Sequence, residues 1–160
     1  MILVTVGMQL AFDRLIEAMD AIASELDQTI IAQTGNGTFV PQNMKAHKQI
    51  APQEFEALVA RCNLIVSHAG IGTVLTAARY SKPVVLMPRR ADLGEHRNDH
   101  QLATAANLGD RPGILVAATE NVLRQRVLEG LALGPVSHGK SLEAYALKNA
   151  VTQFIATGTL

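Results

Sequence analysis

The sequence has no tryptophan, one cysteine, two tyrosines and four phenylalanines among its 160 residues. One cysteine excludes an internal disulfide and a zinc site built from several thiolates, and the apolar neighbours of Cys62 favour burial over reactivity. So few aromatic side chains argue against a surface on which nucleic-acid bases stack. Acidic and basic residues number 14 each, so no charge excess favours nucleic acid or anionic lipid. We expect no nucleic-acid partner.

Long apolar runs are also absent. No run approaches the roughly 20 residues that cross a bilayer, and residues 1–4 enter a strand pattern without the basic segment of a signal peptide. These features predict a soluble, cytoplasmic protein. Hydrophobic residues make up 48% of the chain and charged residues 18%, which suits one globular domain spanning 1–160.

Short apolar runs alternate with longer stretches of helical periodicity. The predicted strands cover 2–6, 29–33, 64–67, 84–87 and 114–117, with one further short strand near 46–49. The predicted helices cover 12–26, 52–61, 73–80, 96–108, 120–133 and 142–156. Strands alternating with helices imply a parallel sheet covered on both faces. With right-handed crossovers this is an α/β fold, a Rossmann-like doubly wound domain.

Residues 67–73, Ser-His-Ala-Gly-Ile-Gly-Thr, connect a predicted strand to a predicted helix. Gly70 and Gly72 lack a Cβ, so an anion can approach the backbone there. The first N–H groups of a helix have no partner within the helix, and the helix dipole adds positive charge. His68 and Thr73 add side-chain donors, so the turn predicts a diphosphate site. The alternative is an ordinary tight turn; the incomplete glycine fingerprint argues against NAD.

Residues 94–101 form a dense polar segment after the predicted strand 84–87. So many hydrogen-bonding side chains suit a sugar with several hydroxyl groups. The alternative is a solvated helix start, in which the helix dipole favours Glu95 and Asp99. His96 and His100 are one helical turn apart, but no third ligand has a suitable spacing, so we expect no metal site.

Two further features lie on loops after predicted strands, where ligands of doubly wound sheets bind. Residues 7–9, Gly-Met-Gln, are interpreted equally well as a turn or as a ligand contact. Arg89 and Arg90 could pair with a phosphate or an acidic sugar, contact a partner, or be surface charge. Asp13 is interpreted as a cap or a favourable charge at its helix start.

The order of these motifs resembles a known family. Residues 67–73, then 82–88 (Lys-Pro-Val-Val-Leu-Met-Pro), then 95–101 (Glu-His-Arg-Asn-Asp-His-Gln) resemble the C-terminal half of family 28 GT-B glycosyltransferases, a group that includes MurG-type enzymes. Residues 4–7, with Phe12, Asp13 and Leu15 downstream, are similar to its short single-domain members. These are the soluble subunit of the eukaryotic dolichol-linked GlcNAc transferase and the PssE-like exopolysaccharide subunits. The resemblance spans about residues 2–108.

The resemblance implies a UDP-sugar donor site and no cofactor besides that substrate. Its diphosphate-binding positions correspond to His68, Gly70, Gly72 and Thr73, with Gly7 near the phosphates from the opposite loop. The positions near the ribose and the sugar hydroxyls correspond to Glu95, Asn98, Asp99 and Gln101. The segment around Ile50 corresponds to where relatives hold the uracil, largely through backbone groups. In the first loop relatives often carry Gly-Thr, whereas this chain has Gly7-Met8.

The resemblance also implies a function: the donor-binding subunit of a two-component inverting glycosyltransferase that uses a polyprenyl-linked acceptor in exopolysaccharide biosynthesis. A membrane-associated partner would bring the acceptor, recruit this chain to the inner face of the membrane and supply the other half of the cleft. The general base normally sits in that other half, so no catalytic base is assigned here. Two alternatives stay open: a non-catalytic nucleotide-binding or regulatory module, and a self-sufficient homodimeric transferase. The transferred sugar is not specified.

Overall fold

The computed structural model describes residues 1–138. Its strands are β1 (Ile2–Thr5), β2 (Ile30–Gln33), β3 (Lys45–His47), β4 (Leu64–His68), β5 (Val84–Met87) and β6 (Ile114–Val116). Its helices are α1 (Asp13–Ala23), α2 (Pro52–Arg61), α3 (Ile71–Arg79), α4 (His100–Leu108) and α5 (Glu120–Leu133), with a 3-10 turn at Ala91–Leu93. The helix predicted over 142–156 lies outside the described residues.

The six strands form one sheet in the order β3-β2-β1-β4-β5-β6, and every neighbouring pair is parallel. This is the strand order of the dinucleotide-binding Rossmann fold, so the predicted doubly wound α/β architecture is confirmed. The direction of strand order reverses between β1 and β4, where Thr5 pairs with Ser67. The loops after these two strands therefore diverge and leave a crevice at the carboxyl edge, where such sheets bind ligands.

Both faces of the sheet are covered, which explains why its strands, apart from the exposed edge strand β3, are apolar runs. On one face α1 and α5 pack against a set of buried residues that includes Ile2, Val4, Leu64 and Val66. On the other face α2, α3 and α4 pack against Leu3, Ile65, Val84 and Leu86. Cys62 is buried on this second face of the sheet, as predicted. Burial raises the pKa of its thiol. Among residues 1–138, no helix combines the length and the hydropathy that a membrane span requires.

Two helices begin elsewhere than the periodicity predicts. Helix α3 starts at Ile71 with Gly70 as its N-cap, so Gly72 lies inside the first turn instead of before it. Helix α4 starts at His100, four residues later than predicted. Gly94 adopts a left-handed conformation (φ 69°), and the side chain of Asp99 accepts from the N–H of Ala91. Short polar side chains that bond nearby backbone compete with helix formation in this way.

Candidate functional site

His68 ends β4 and its ring lies between two glycines. A Cβ added at Gly7 would lie 2.9 Å from His68 Cε1, and one added at Gly70 would overlap His68 Nε2. Gly7 also has a positive φ of 76°, which side chains rarely adopt. The structure therefore brings these three predicted site residues together, and both glycines are required by the packing of the imidazole itself.

Gly72 has a different environment. A Cβ built there would meet nothing within 4 Å, although Gly72 lies in the first turn of α3. No side chain caps this helix start, whose N-cap is Gly70. Unpartnered N–H groups and the positive end of the helix dipole therefore face open space beside His68, which is the arrangement that binds phosphate.

Ser67 connects His68 to Thr73. Its side chain is fully buried, and its Oγ lies 3.2 Å from His68 Nδ1 and 3.3 Å from Thr73 Oγ1. This bond brings Thr73, in the first turn of α3, next to the imidazole. Sequence reasoning did not assign Ser67 a role; the available signal was a polar residue at the end of an apolar strand.

His68 is uncharged at neutral pH. Burial, together with the charges of Arg89 and His96, lowers the pKa of its imidazole to about 4, although a hydrogen bond with the backbone of Thr5 opposes the shift. The neutral ring can donate from one nitrogen and accept at the other. His68 is thus suited to hydrogen bonding with a phosphate oxygen instead of ion pairing with it.

Glu95 is held by the protein's own groups. Its Oε1 accepts from Arg14 Nε (2.6 Å), and its Oε2 accepts from Arg14 Nη2 (2.7 Å) and from the backbone N–H of Arg90 (2.9 Å). The Arg14 and Glu95 side chains are only 13% and 12% exposed. Arg14 is a second functional candidate that sequence reasoning missed, since nothing in its helix pattern indicates a partner 81 residues away.

The other polar residues of this segment point in different directions. Gln101 is buried, and its Oε1 accepts from the backbone N–H of Arg89 at 3.1 Å. Asn98 is exposed and its Oδ1 contacts the ring Nδ1 of His100. Asp99 bonds Ala91, as described above. Within residues 1–138, no three His, Cys, Asp or Glu side chains lie together so as to hold a metal ion.

Arg89 lies inside the protein, so its interpretation as surface charge is wrong. Its Nη2 donates to the carbonyls of Val6 and Leu10, each at 2.7 Å, and its Nε donates to Ala11 at 3.3 Å. Burial lowers the pKa of its guanidinium to about 10, so the group is still charged at pH 7. Arg89 therefore fixes the loop after β1. Arg90, in contrast, pairs with exposed Asp92 at 2.6 Å.

A buried glutamine joins two predicted contact segments. Gln33 ends β2; its Nε2 donates to the carbonyl of Gly7 and its Oε1 accepts from the N–H of Ile50, both at 3.3 Å. The structure thus brings Ile50 to the same edge of the sheet as Gly7. The N–H of Ile50 is already bonded within the chain.

Asp13 does not cap α1; of the two interpretations from sequence, the structure supports the favourable charge in the first turn of the helix. Phe12 occupies the N-cap position without a side-chain bond. The Asp13 carboxylate accepts instead from the backbone N–H of Thr38 at 3.0 Å and from its hydroxyl at 2.7 Å. Burial raises the pKa of this carboxyl, but the bonds from Thr38 and Phe39 outweigh burial and lower the pKa overall. Asp13 therefore anchors the loop after β2.

A surface pocket of about 320 Å³ lies away from these residues. It is lined by the starts of β2 and β3 and the segments before them, residues 28–30 and 42–45. Since the strands are parallel, this pocket is at the amino edge of the sheet, opposite His68. The residues that line this pocket include no helix start, so the candidate site is the open start of α3 beside His68.

The fold and this site define a glycosyltransferase domain. The chain belongs to the family described as "Glycosyltransferase family 28 C-terminal domain", whose model matches residues 1–151. The resemblance inferred from the motifs is thereby confirmed.

Curated relatives match part of the chain. The "UDP-N-acetylglucosamine transferase subunit ALG13" of Cryptococcus neoformans var. neoformans serotype D, in strains JEC21 and B-3501A, is 33% identical over 84 residues. The match covers 51% of this chain and 40% of the relative. It therefore spans less than half the length of these relatives.

Solved structures show the same fold. MurG of Acinetobacter baumannii superposes with a TM-score of 0.57 at 23% identity, covering 82% of this chain and 42% of that one. The glycosyltransferase of kitacinnamycin superposes with a TM-score of 0.59 at 20% identity, covering 99% and 40%. This chain is thus equivalent to one half of a GT-B glycosyltransferase, as the sequence predicted.

Proposed function

We propose that this chain binds a UDP-sugar at the carboxyl edge between β1 and β4, as the donor-binding subunit of a two-component inverting glycosyltransferase. One observation carries the proposal: the neutral His68 lies between Gly7 and Gly70, beside the open, uncapped start of α3. Membership of the family supports it. The name of the curated relative, a subunit of a UDP-N-acetylglucosamine transferase, supports the nucleotide and the subunit role.

The chemistry follows from where charge develops. The acceptor oxygen attacks the anomeric carbon from the face opposite UDP, the bond from that carbon to the β-phosphate oxygen breaks, and UDP leaves with the electron pair. The N–H groups at the start of α3, the Thr73 hydroxyl and His68 stabilise the charge that grows on the phosphate. The proton of the acceptor hydroxyl goes to a base on the other half of the cleft. This chain positions the donor and stabilises its leaving group.

The remaining predicted contacts complete the donor site. Glu95, Asn98, Asp99 and Gln101 follow β5, the strand beside β4. In this proposal they flank the diphosphate position on the side of the transferred sugar. The segment around Ile50 holds the uracil through backbone groups other than the Ile50 N–H, which Gln33 engages. No cofactor besides the donor substrate takes part.

The second half of the cleft belongs to a partner in this proposal. The solved relatives contain more than twice the length that this chain matches. A membrane-associated protein would bring a polyprenyl-linked acceptor and recruit this cytoplasmic chain to the inner face of the membrane, in exopolysaccharide biosynthesis. A regulatory module and a self-sufficient homodimer are the alternative outcomes of the tests.

Isothermal titration calorimetry of the purified chain with UDP tests the proposal. We expect saturable binding of UDP, and none of uridine, which lacks the diphosphate. The absence of heat with UDP and with a panel of UDP-sugars would contradict the proposed function.

A further inference from the structure

Ser67 is a buried hydroxyl that lies between two polar side chains of the candidate site. It follows the apolar residues 64–66 in β4, and none of its surface is exposed. Its Oγ lies 3.2 Å from His68 Nδ1 and 3.3 Å from Thr73 Oγ1. Because water does not reach this hydroxyl, its hydrogen bonds must be made with these neighbours.

The two contacts of Ser67 constrain where the protons lie. Each contact needs one proton between its atoms, and a hydroxyl group carries only one. Since His68 is neutral, the hydrogen bonds run in one of two directions. In the first direction Thr73 donates to Ser67, Ser67 donates to His68 Nδ1, and the imidazole carries its proton on Nε2. In the second direction Nδ1–H donates to Ser67, Ser67 donates to Thr73, and Nε2 is a bare acceptor.

The Nε2 nitrogen of His68 lies at the open start of α3. A Cβ added at Gly70, the N-cap residue, would overlap Nε2, and a Cβ added at Gly7 would lie 3.4 Å from it. Ser67 is fully buried, whereas His68 keeps part of its surface exposed. Within residues 1–138, Nε2 is not among the buried side-chain atoms that lack a partner. Nε2 is therefore the end of the ring that a ligand at the helix start meets.

A bound phosphate favours the first direction. Its oxygens only accept hydrogen bonds, so a bare Nε2 would turn a lone pair toward negative charge. The ring is packed between Gly7 and Gly70 and cannot turn that lone pair away, whereas hydroxyl protons rotate to suit their partners. In the first direction the three protons of Thr73, Ser67 and His68 all point toward the phosphate, and hydrogen bonds in such a chain strengthen one another.

We infer that Ser67 is a positioning residue: by donating to Nδ1 it holds His68 in the Nε2–H tautomer, so that Nε2 donates to the diphosphate of the nucleotide. The inference rests on the proposed function and assigns a role to a residue outside the predicted site. Ser67 acts through His68 and need not touch the ligand. The Thr73 hydroxyl acts on the phosphate through the same chain of hydrogen bonds.

NMR of the chain labelled with ¹⁵N in its histidines tests the tautomer, because protonated and bare ring nitrogens differ strongly in ¹⁵N chemical shift. The signals of His68 are those that the His68→Gln variant lacks. With UDP bound at neutral pH, we expect Nε2 to be protonated and Nδ1 to be bare. A proton on Nδ1, donated to Ser67 or to the backbone of Thr5, which also bonds the ring, would overturn the inference.

Ser67→Ala tests the residue itself. Loss of one hydrogen bond from the chain should weaken UDP binding by roughly threefold to tenfold in calorimetry. The two ¹⁵N shifts of His68 should also move toward each other, as both tautomers become populated. Ser24→Ala is the matched control, because Ser24 is exposed and its Oγ donates to the carbonyl of Ala21 at the end of α1. It should change neither the tautomer nor the affinity.

An unchanged tautomer in Ser67→Ala would overturn the inference; if UDP binding is nevertheless weaker, Ser67 has a merely structural role. If Ser67→Ala does not fold, Ser67→Cys takes its place, because a thiol occupies the space but is a weak donor. It should show the same two changes, and an unchanged tautomer there likewise excludes Ser67. Failure of the unchanged chain to bind UDP refutes the proposed function, whereas binding of UDP with a proton on Nδ1 refutes the inference alone.

Discussion

Gly70 and Gly72 are two residues apart in one turn, but the structure needs them for different reasons. Gly70 makes room for the imidazole of His68, which a Cβ would overlap. Gly72 makes room for no atom of the described chain. Space beside an uncapped helix start is what an anion needs. A substitution at Gly72 should therefore affect anion binding with little effect on folding, unlike a substitution at Gly70.

Gly72→Ala should weaken UDP binding by roughly tenfold or more, because the added methyl group blocks hydrogen bonds to a charged phosphate. The free energy of unfolding should stay the same or rise by up to about 1 kcal/mol, since alanine favours a helix over glycine. Calorimetry and thermal unfolding measure the two effects.

Two variants complete this comparison. Gly70→Ala should lower the unfolding temperature through its overlap with His68, and Glu25→Ala, beyond the end of α1, should change neither property. Normal UDP affinity in Gly72→Ala would place the diphosphate elsewhere.

His68 makes the stability of the protein depend on pH. Its pKa is about 4 in the folded chain, against an ordinary value of 6.5, so below pH 6.5 the unfolded chain binds the proton more readily. Stability should therefore fall as the pH drops from about 6.5 to about 4, by up to about 3 kcal/mol from this group. His68→Gln should flatten the profile in that window. Urea unfolding at a series of pH values measures it, and an equally steep profile in the variant would exclude His68 as the cause.

At the scale of elements, the loop after β1 takes its shape from a residue after β5. Arg89 binds the carbonyls of Val6, Leu10 and Ala11, and its own backbone N–H is bound by Gln101 at the start of α4. The adjacent loop after β2 is tied to the same region through Gln33 and Asp13. The candidate site is therefore organised by buried polar side chains before any ligand arrives.

Arg89→Met should destabilise the protein by about 2–4 kcal/mol, because it leaves buried carbonyl groups without donors. Urea unfolding gives the free energy, and hydrogen exchange should show faster exchange in residues 7–12. Arg90→Met is the control: its exposed pair with Asp92 should contribute less than about 1 kcal/mol. Equal effects of the two substitutions would mean that Arg89 does not hold the loop.

At the scale of the whole molecule, the proposed function makes the sheet one wall of a cleft. The strand order brings the loops after β1, β4 and β5 to one edge, and the solved relatives are more than twice as long as the part that matches this chain. Under the proposed function, donor binding is complete in this chain and transfer requires a second wall.

We expect the isolated chain to bind UDP but to transfer no sugar until a membrane-associated partner is added. Co-purification with the protein of the neighbouring reading frame, followed by assays with labelled UDP-sugars and a polyprenyl-linked acceptor, measures this. Transfer by the chain alone, increasing with the fraction of dimer in light scattering, would favour the homodimeric alternative. If the chain binds UDP but no sugar is transferred with any partner protein added, the result would favour a regulatory module.

Local pattern alone determined the elements and the class of fold. Short apolar runs, helical periodicity and turn glycines depend on neighbours in the chain, so they predicted the strands, including the short β3, and all five described helices. The largest boundary error fell at the start of α4, at His100, where side-chain bonds to the backbone compete with the periodic signal. Helix α1 ends at Ala23, three residues before its predicted end. Motif order also placed His68, Gly70, Gly72 and Thr73 in one turn.

Only the tertiary structure decided what each polar residue touches. The burial of Arg89, the pairing of Arg14 with Glu95, the link from Gln33 to Ile50 and the bond from Asp13 to Thr38 join residues 17 to 83 positions apart. Such partners are set by the order of strands in the sheet, which no local periodicity encodes. Gly70 and Gly72 differ for the same cause: the His68 ring occupies the space where a Cβ of residue 70 would lie, and no atom occupies the corresponding space at residue 72. Which side chain fills such a space is decided by the packing of the fold.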